Sequence, residues 1–243
     1  MKNIFFAVAL AATSMAASAA DSMNLVGSAT MIGSDIQLVS QGGSAGAAWF
    51  VTPMSTTDSF SLYFSFSLQN NGYSPMADGI TFALQNQGIN ALGSWGGDLG
   101  YTDLNAVGSV IQTWFNNTAG LNIDGNAYNT QSAPADLGAA DLVTGTQNIQ
   151  YDASTNMLSM TGTLNVDGSI YSIYDAQSID LSAKFGDTMI MGFTGATGGS
   201  YADERVTSFS LNPVAAVPEP ETYAMLLAGL GALGFMARRR KSL

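Results

Sequence analysis

The sequence predicts an all-β fold built from two antiparallel sheets, and three observations carry that expectation. Phe60, Leu62, Phe64, Phe66 and Leu68 alternate with Ser61, Tyr63, Ser65 and Ser67, a period of two sustained over nine residues, as expected of a strand with one buried face. Asn70-Asn71-Gly72, Asp124-Gly125, Asp167-Gly168 and Gly198-Gly199 punctuate the apolar runs with residues that tolerate positive φ. No segment between Asp21 and Pro213 sustains apolar residues at helical spacing.

The strand candidates follow in chain order. Ala47–Val51 joins aromatic and β-branched residues, and Phe60–Leu68 is the alternating run. Ile80–Gln85, Ser109–Phe115 and the short Ile149–Tyr151 are further candidates. Met157–Val166 and Ile170–Tyr174 flank Asp167-Gly168, which reads as a hairpin turn. Thr188–Phe193 and Thr207–Leu211 complete the set. Leu121-Asn122-Ile123-Asp124-Gly125 and Leu164-Asn165-Val166-Asp167-Gly168 look alike. They lack the acidic ladder and trailing glutamate of a calcium loop, so both read as hairpin turns. No long linker or charge block divides residues 21–213, which are expected to form one β-sandwich domain.

The charge is strongly asymmetric. The chain holds 18 acidic and 7 basic residues, with neither histidine nor cysteine. Between Asp21 and Ala216 the only cations, Lys184 and Arg205, face fifteen aspartates and Glu204, a formal −14. Lacking histidine and cysteine, the chain can hold no Ser-His-Asp triad, thiolate nucleophile, disulfide or imidazole metal site. Two cations cannot neutralise a phosphate backbone, which argues against a nucleic-acid partner.

The two ends read as addresses. Met1–Ala20 has the positive start (Lys2), short apolar run and small-residue cleavage site of a secretory signal peptide, cut after Ala19 or Ala20. At the other end, residues 214–243 form a linker and a tripartite element. Pro218-Glu219-Pro220 precedes an apolar stretch, 223–237, and then Arg238-Arg239-Arg240-Lys241. As a helix these fifteen residues rise about 1.5 Å each, less than a bilayer core of about 30 Å. The basic cluster favours the cytoplasmic face. The element resembles the PEP-CTERM sorting signal of Gram-negative bacteria. That resemblance implies export across the inner membrane, transient anchoring through a short transmembrane helix at 223–237, cleavage by an exosortase-type protease, and delivery to the cell surface or extracellular matrix. A stable single-span anchor is the alternative.

Within the domain, Ala77-Asp78-Gly79 follows the alternating strand. Gly96-Gly97-Asp98-Leu99-Gly100, Thr113-Trp114-Phe115-Asn116 and Gly192-Phe193-Thr194-Gly195-Ala196-Thr197-Gly198 come after it. A sugar needs such partners: a carboxylate for paired hydroxyls, backbone N–H groups that glycine leaves approachable, an amide, and an aromatic face. A buried Trp114 serving only the core is the simpler alternative for that residue. In this order the elements resemble the L-type, legume-lectin-like lectins, from about Ala48 to Leu211. The resemblance implies a concanavalin-like jelly-roll sandwich that binds carbohydrate. Asp78 would then accept from sugar hydroxyls, Gly97 donate its N–H, Trp114 stack on the ring, and Asn116 belong to the metal-binding loop. The peptide before the family's aspartate is often cis, which makes Ala77–Asp78 a candidate. The loop from Gly198 to Asp203 would shape one side of the pocket.

One stretch departs from the family pattern. Where the family has Glu and Asp in the metal loop, this chain has Val110 and Gln112, and Asn117 to Leu121 supplies neither acid nor histidine. Calcium takes several oxygen ligands, so no family-type metal pair and no cofactor is expected, although weak calcium binding elsewhere on an acidic surface stays open. Asn116 and Asp78 are then positioned by protein hydrogen bonds alone.

Three functions compete. The first is a secreted, non-catalytic carbohydrate-binding protein of the cell surface or exopolysaccharide matrix. The second is a structural or adhesion module of the matrix that has lost metal and sugar binding. The third, a glycoside hydrolase, needs two suitably spaced carboxylates. Glu204 is the only glutamate of residues 21–213, and Asp203-Glu204 reads as a solvated turn at the start of a strand. Homo-oligomerisation through a flat sheet is an open possibility.

Overall fold

A strand alternates in sequence when one of its faces meets water, and loses that alternation when both are covered. The computed structural model, which describes residues 22–114 and 116–214, contains one sheet of each kind. With strands numbered in chain order, the covered sheet runs β1 (Met23–Gly27), β4 (Ala45–Phe50), β13 (Thr188–Ala196), β7 (Gly79–Gln85), β8 (Ala106–Gln112), β9 (Thr118–Asn122). Short β5 (Met54–Ser55) also pairs with β13. The open sheet runs β12 (Ser169–Ser178), β11 (Met157–Val166), β10 (Leu142–Asp152), β6 (Ser59–Asn70), β14 (Ala202–Val214), β3 (Asp35–Val39), β2 (Thr30–Ile32). Every strand pairing is antiparallel. The one α-helix among the described residues is a short turn, α1 (Leu181–Phe185), whose N-cap Asp180 accepts from the Ala183 N–H.

The main core lies between the sheets. Phe60, Leu62, Phe64, Phe66 and Leu68 of β6 meet Ile80, Phe82 and Leu84 of β7, Ile111 of β8 and Phe193 of β13. Phe193 is central: its ring lies 5.2 Å from Phe64 and 5.9 Å from Phe82, within the 4.5–7 Å range that favours aromatic pairs. A second apolar cluster covers the far side of the covered sheet, where Leu99, Tyr101 and Leu104 pack on Ala47, Trp49, Ala83 and Val110. Trp49 fastens that layer by donating its indole N–H to the Ala91 carbonyl at 2.8 Å. All seven residues of β7 and of β8 are buried as a result.

Several strand expectations change in detail. Ser109–Phe115 is displaced: β8 begins at Ala106 and stops at Gln112, because the Thr113 N–H leaves the ladder to bond the Asp78 carbonyl at 2.8 Å. Thr207–Leu211 lies in the middle of a strand of 13 residues, and Ile149–Tyr151 near the end of one of 11. Asp167-Gly168 does turn the β11–β12 hairpin, both residues at positive φ (48° and 92°). Asp124-Gly125 does not turn a hairpin, since β9 pairs with β8 and not with β10. Asp124 instead gathers its own loop, accepting from the Asn122 and Asn129 side chains at 2.6 Å each. The expected leader (1–20), the sorting motif Pro218-Glu219-Pro220 and the apolar run 223–237 lie outside the described residues. Among the described residues no helix is long and apolar enough to cross a membrane.

Candidate carbohydrate-binding site

The site is assembled where β7 begins and β8 ends. The Ala77–Asp78 peptide is cis. Four hydrogen bonds hold this bend: Thr113 Oγ1 donates to the Met76 carbonyl (2.9 Å), the Thr113 N–H to the Asp78 carbonyl (2.8 Å), the Met76 N–H to the Gly138 carbonyl (2.8 Å), and the Asp78 N–H to the Ala196 carbonyl (3.3 Å). Gly79, next in the chain, has φ +131° and sits so close to the Ile111 carbonyl that a Cβ would collide with it. Glycine is required there on both counts.

Asp78 is 2% exposed, and its Oδ2 has no hydrogen-bond partner within the protein. Burial raises its pKa to about 6; the neighbouring Gly198 amide pulls the other way without outweighing it, and the Asp98 charge adds a smaller push upward. Gly198 is the close neighbour of that oxygen. A Cβ there would lie 3.3 Å from Asp78 Oδ2 and 3.9 Å from the Gly96 Cα. The bare Gly198 backbone therefore lies beside both the carboxylate and the Gly96–Asp98 turn.

That turn is a single 3-10 turn, tied to the Gly198 loop by the Gly96 N–H to the Thr197 carbonyl at 3.2 Å. Gln112 Nε2 donates to the Gly97 carbonyl at 2.6 Å. The structure thus brings Asp78 and Gly97 to one place, with Gly198 between them. Trp114 is half-buried and immediately follows Thr113, the residue that clasps Asp78. Asn116 is exposed on the next turn, and among the described residues no hydrogen bond joins it to Asp78. Its neighbour Asn117 anchors the loop instead, donating to the Ala135 carbonyl (2.6 Å) and accepting from the Leu137 N–H (2.7 Å).

Three residues of this neighbourhood escaped the sequence reading. Tyr128, 42% exposed, places its hydroxyl over the Gly97 Cα, where a side chain at 97 would have to stand. Burial raises its pKa, and the charges of Asp98 and then Asp78 raise it further. Trp95, directly before the turn, is 61% exposed. Glu204 corrects the expectation of a solvated Asp203-Glu204 turn: it lies within β14, fully buried. Its Oε1 accepts the Gly79 N–H at 2.8 Å, while Oε2 has no partner. Burial drives its pKa far above the usual carboxylate range, the Gly79 amide opposing and nearby Asp78 adding to the rise. Strand alternation was the available signal, because Ala202, Glu204 and Val206 share the buried face of β14. Asp203, one residue away, points outward and binds Arg205.

The positions where a metal ligand set would begin do not fit a metal. Val110 is fully buried among Leu99, Tyr101, Leu104 and Ala127, and Gln112 is engaged with Gly97. Among the described residues no three acidic side chains come together.

Comparison with known proteins identifies the fold and the family. Residues 13–224 match the Legume lectin domain, and residues 216–241 match the PEP-CTERM protein-sorting motif. An L-type lectin-domain containing receptor kinase VIII.2 of Arabidopsis thaliana is 32% identical over 161 residues, covering 58% of this chain. The match spans only 22% of that relative. Among solved structures, peanut lectin superposes with a TM-score of 0.66 at 23% identity, covering 82% of this chain and 95% of its own. The Lotus tetragonolobus seed lectin gives 0.67 at 22% identity, covering 81% and 95%. Arcelin-5, a lectin-like defense protein from Phaseolus vulgaris, gives 0.66 at 21% identity, covering 81% and 94%. With two sheets in the jelly-roll arrangement of these neighbours and a matching profile over most of its length, the chain belongs to the legume lectin domain family and carries a PEP-CTERM sorting motif at its C-terminal end.

Proposed function

We propose that this protein is a secreted, non-catalytic carbohydrate-binding protein of the cell surface or exopolysaccharide matrix of a Gram-negative bacterium. In this reading residues 21–213 form the binding domain, and the sorting segment is removed by an exosortase-type protease. The observation that carries the reading is the setting of Asp78. A carboxylate oxygen without a protein partner lies against the bare backbone of Gly198 and beside the Gly96–Asp98 turn. An acceptor among backbone groups left open by glycine suits a pair of vicinal hydroxyls. Trp114 and Asn116, next along the loop, complete the proposed set with Asp78 and Gly97. Nothing in this arrangement calls for catalysis: the second buried carboxyl, Glu204, is sealed in the core and spent on the Gly79 amide.

The test is a glycan array probed with the secreted protein and with Asp78→Ala. The carboxylate accepts charge-assisted bonds of roughly 1.5–3 kcal/mol each, so Asp78→Ala is expected to abolish measurable binding. Unchanged binding removes Asp78 from the site. A second reading, a structural or adhesion module, draws support from the 2% exposure of Asp78. A protein that binds no glycan, with a C-terminus trimmed near Pro218 by mass spectrometry, favours that module.

A further inference from the structure

We propose that Gln112 is the positioning residue of the site, holding the Gly96–Asp98 turn against Asp78 through its side-chain amide, so that the site is organised without a metal ion. This deepens the carbohydrate-binding reading and rests on it for the meaning of the site, though not for the geometry.

Gln112 ends β8, is fully buried, and pairs with Gly79 across the ladder, one residue from Asp78. Its amide crosses to the Gly97 carbonyl at 2.6 Å. Chemistry fixes the orientation of that amide: a carbonyl only accepts, so the nitrogen must face Gly97 and the oxygen must face away. A carboxylate in the same place would set oxygen against oxygen and would need a cation between them. The neutral amide makes the same link directly. Thr113 completes the clasp from the other side, its N–H on the Asp78 carbonyl and its hydroxyl on the Met76 carbonyl. Two consecutive residues thereby hold both halves of the site, Gln112 the Gly97 half and Thr113 the Asp78 half.

Val110 supports the same conclusion independently. It lies on the same strand face two residues earlier and is 0% exposed in the apolar cluster. A divalent cation there would meet methyl groups where it takes about 6–8 oxygens. Tyr128 lies against the same turn, its hydroxyl where a side chain at position 97 would stand.

Hydrogen exchange of the 94–104 backbone tests the proposal on the secreted protein, with calorimetric titration by calcium chloride and manganese chloride alone. For the wild type, EDTA is expected to leave protection of 94–104 unchanged, and neither metal to give a stoichiometric micromolar site. Gln112→Met keeps the shape and removes the hydrogen bond. It is expected to lower protection of 94–104 by about tenfold and weaken glycan binding, while protection of β10 to β12 stays as in the wild type. Gln112→Glu separates positioning from packing. When protonated it donates to the Gly97 carbonyl again, so protection of 94–104 relative to intrinsic exchange falls as pH rises through its titration. EDTA-sensitive protection, a stoichiometric metal site, or wild-type protection of 94–104 in Gln112→Met overturns the proposal. The wild-type arms decide even if a variant does not fold. Sugar binding that returns only with added calcium would sink this proposal and leave the carbohydrate reading standing. No glycan binding, with metal-independent protection, would do the reverse.

Discussion

Acidification provides a direct test of the proposed carbohydrate site, because in that reading Asp78 must be ionised to accept from two hydroxyls. Burial raises its pKa to about 6, against about 3.9 for an unperturbed aspartate. With that value about nine-tenths of Asp78 is ionised at pH 7 and about one-tenth at pH 5. If only the ionised form binds, the apparent Kd rises roughly tenfold over those two units. Calorimetry or surface plasmon resonance against an array-selected glycan, run from pH 8 to pH 5, reads this directly.

Stability moves the other way, and this separates lost binding from unfolding. A carboxyl whose folded pKa is raised binds its proton more readily in the native than in the unfolded chain. Between about pH 4 and pH 6 its contribution to stability therefore grows as pH falls, by at most about 1.4 kcal/mol per unit. Below about pH 4 the group is protonated in both states; above about pH 6 it is ionised in both, and the folded chain carries the full cost of a buried charge. Glu204, whose pKa burial also raises, adds to the same trend. Binding should thus weaken through pH 6 while these two groups favour the fold, and Asp78→Asn should lose the pH step along with most affinity. A Kd that stays flat from pH 8 to pH 5, or a loss of binding that coincides with a falling melting temperature, refutes the reasoning.

Two further outcomes follow from the same corner of the fold. Gly79→Ala places a Cβ against the Ile111 carbonyl at a φ of +131°, so denaturant unfolding should register a loss above about 4 kcal/mol or no folded protein at all. Glu204→Gln keeps a neutral acceptor for the Gly79 N–H and should retain most of the stability, whereas Glu204→Ala, which orphans that buried amide, should lose about 2–4 kcal/mol by the same measurement.

What the sequence made legible depended on where water reaches the sheets. Strand β6 was plain because the open sheet leaves its serines and Tyr63 at the outer face, so the period of two survives in the residues. The covered sheet hid its pattern: β9, Thr-Ala-Gly-Leu-Asn, is buried throughout and made of small residues, and nothing in it alternates. β1 and β3 went unread as well; β3 pairs with β14, far along the chain. Of the proposed site, Asp78 and Gly97 could be named from the sequence because ordered motifs carry them. Tyr128 could not, since it arrives on a loop without periodicity and meets Gly97 only in three dimensions, and Trp95, directly before the turn, belongs to none of those motifs. Glu204 was misread for a physical reason: a lone glutamate is ordinarily solvated. The amide that holds it belongs to Gly79, 125 residues away.

The acidity of the domain is arranged, and the arrangement accounts for the site. Sixteen carboxylates lie between Asp21 and Ala216, yet among the described residues only those of Asp78 and Glu204 are buried. The two are neighbours, and the charge of Asp78 adds to the rise in the Glu204 pKa. Two buried carboxylates side by side repel unless a cation, a proton or hydrogen bonds intervene. No cation is at hand among the described side chains: Arg205 is committed to Asp203 and Asp35, and Lys184 reaches the Ile123 carbonyl. Burial moves Glu204 toward its protonated form, which eases the conflict. As a neutral acid it still accepts the Gly79 N–H and leaves the charge to Asp78. In the proposed site the geometry is shared among Glu204, which accepts the Gly79 N–H, Thr113, which bonds the Met76 and Asp78 carbonyls, and Gln112, which holds Gly97, with Val110 left to the apolar cluster.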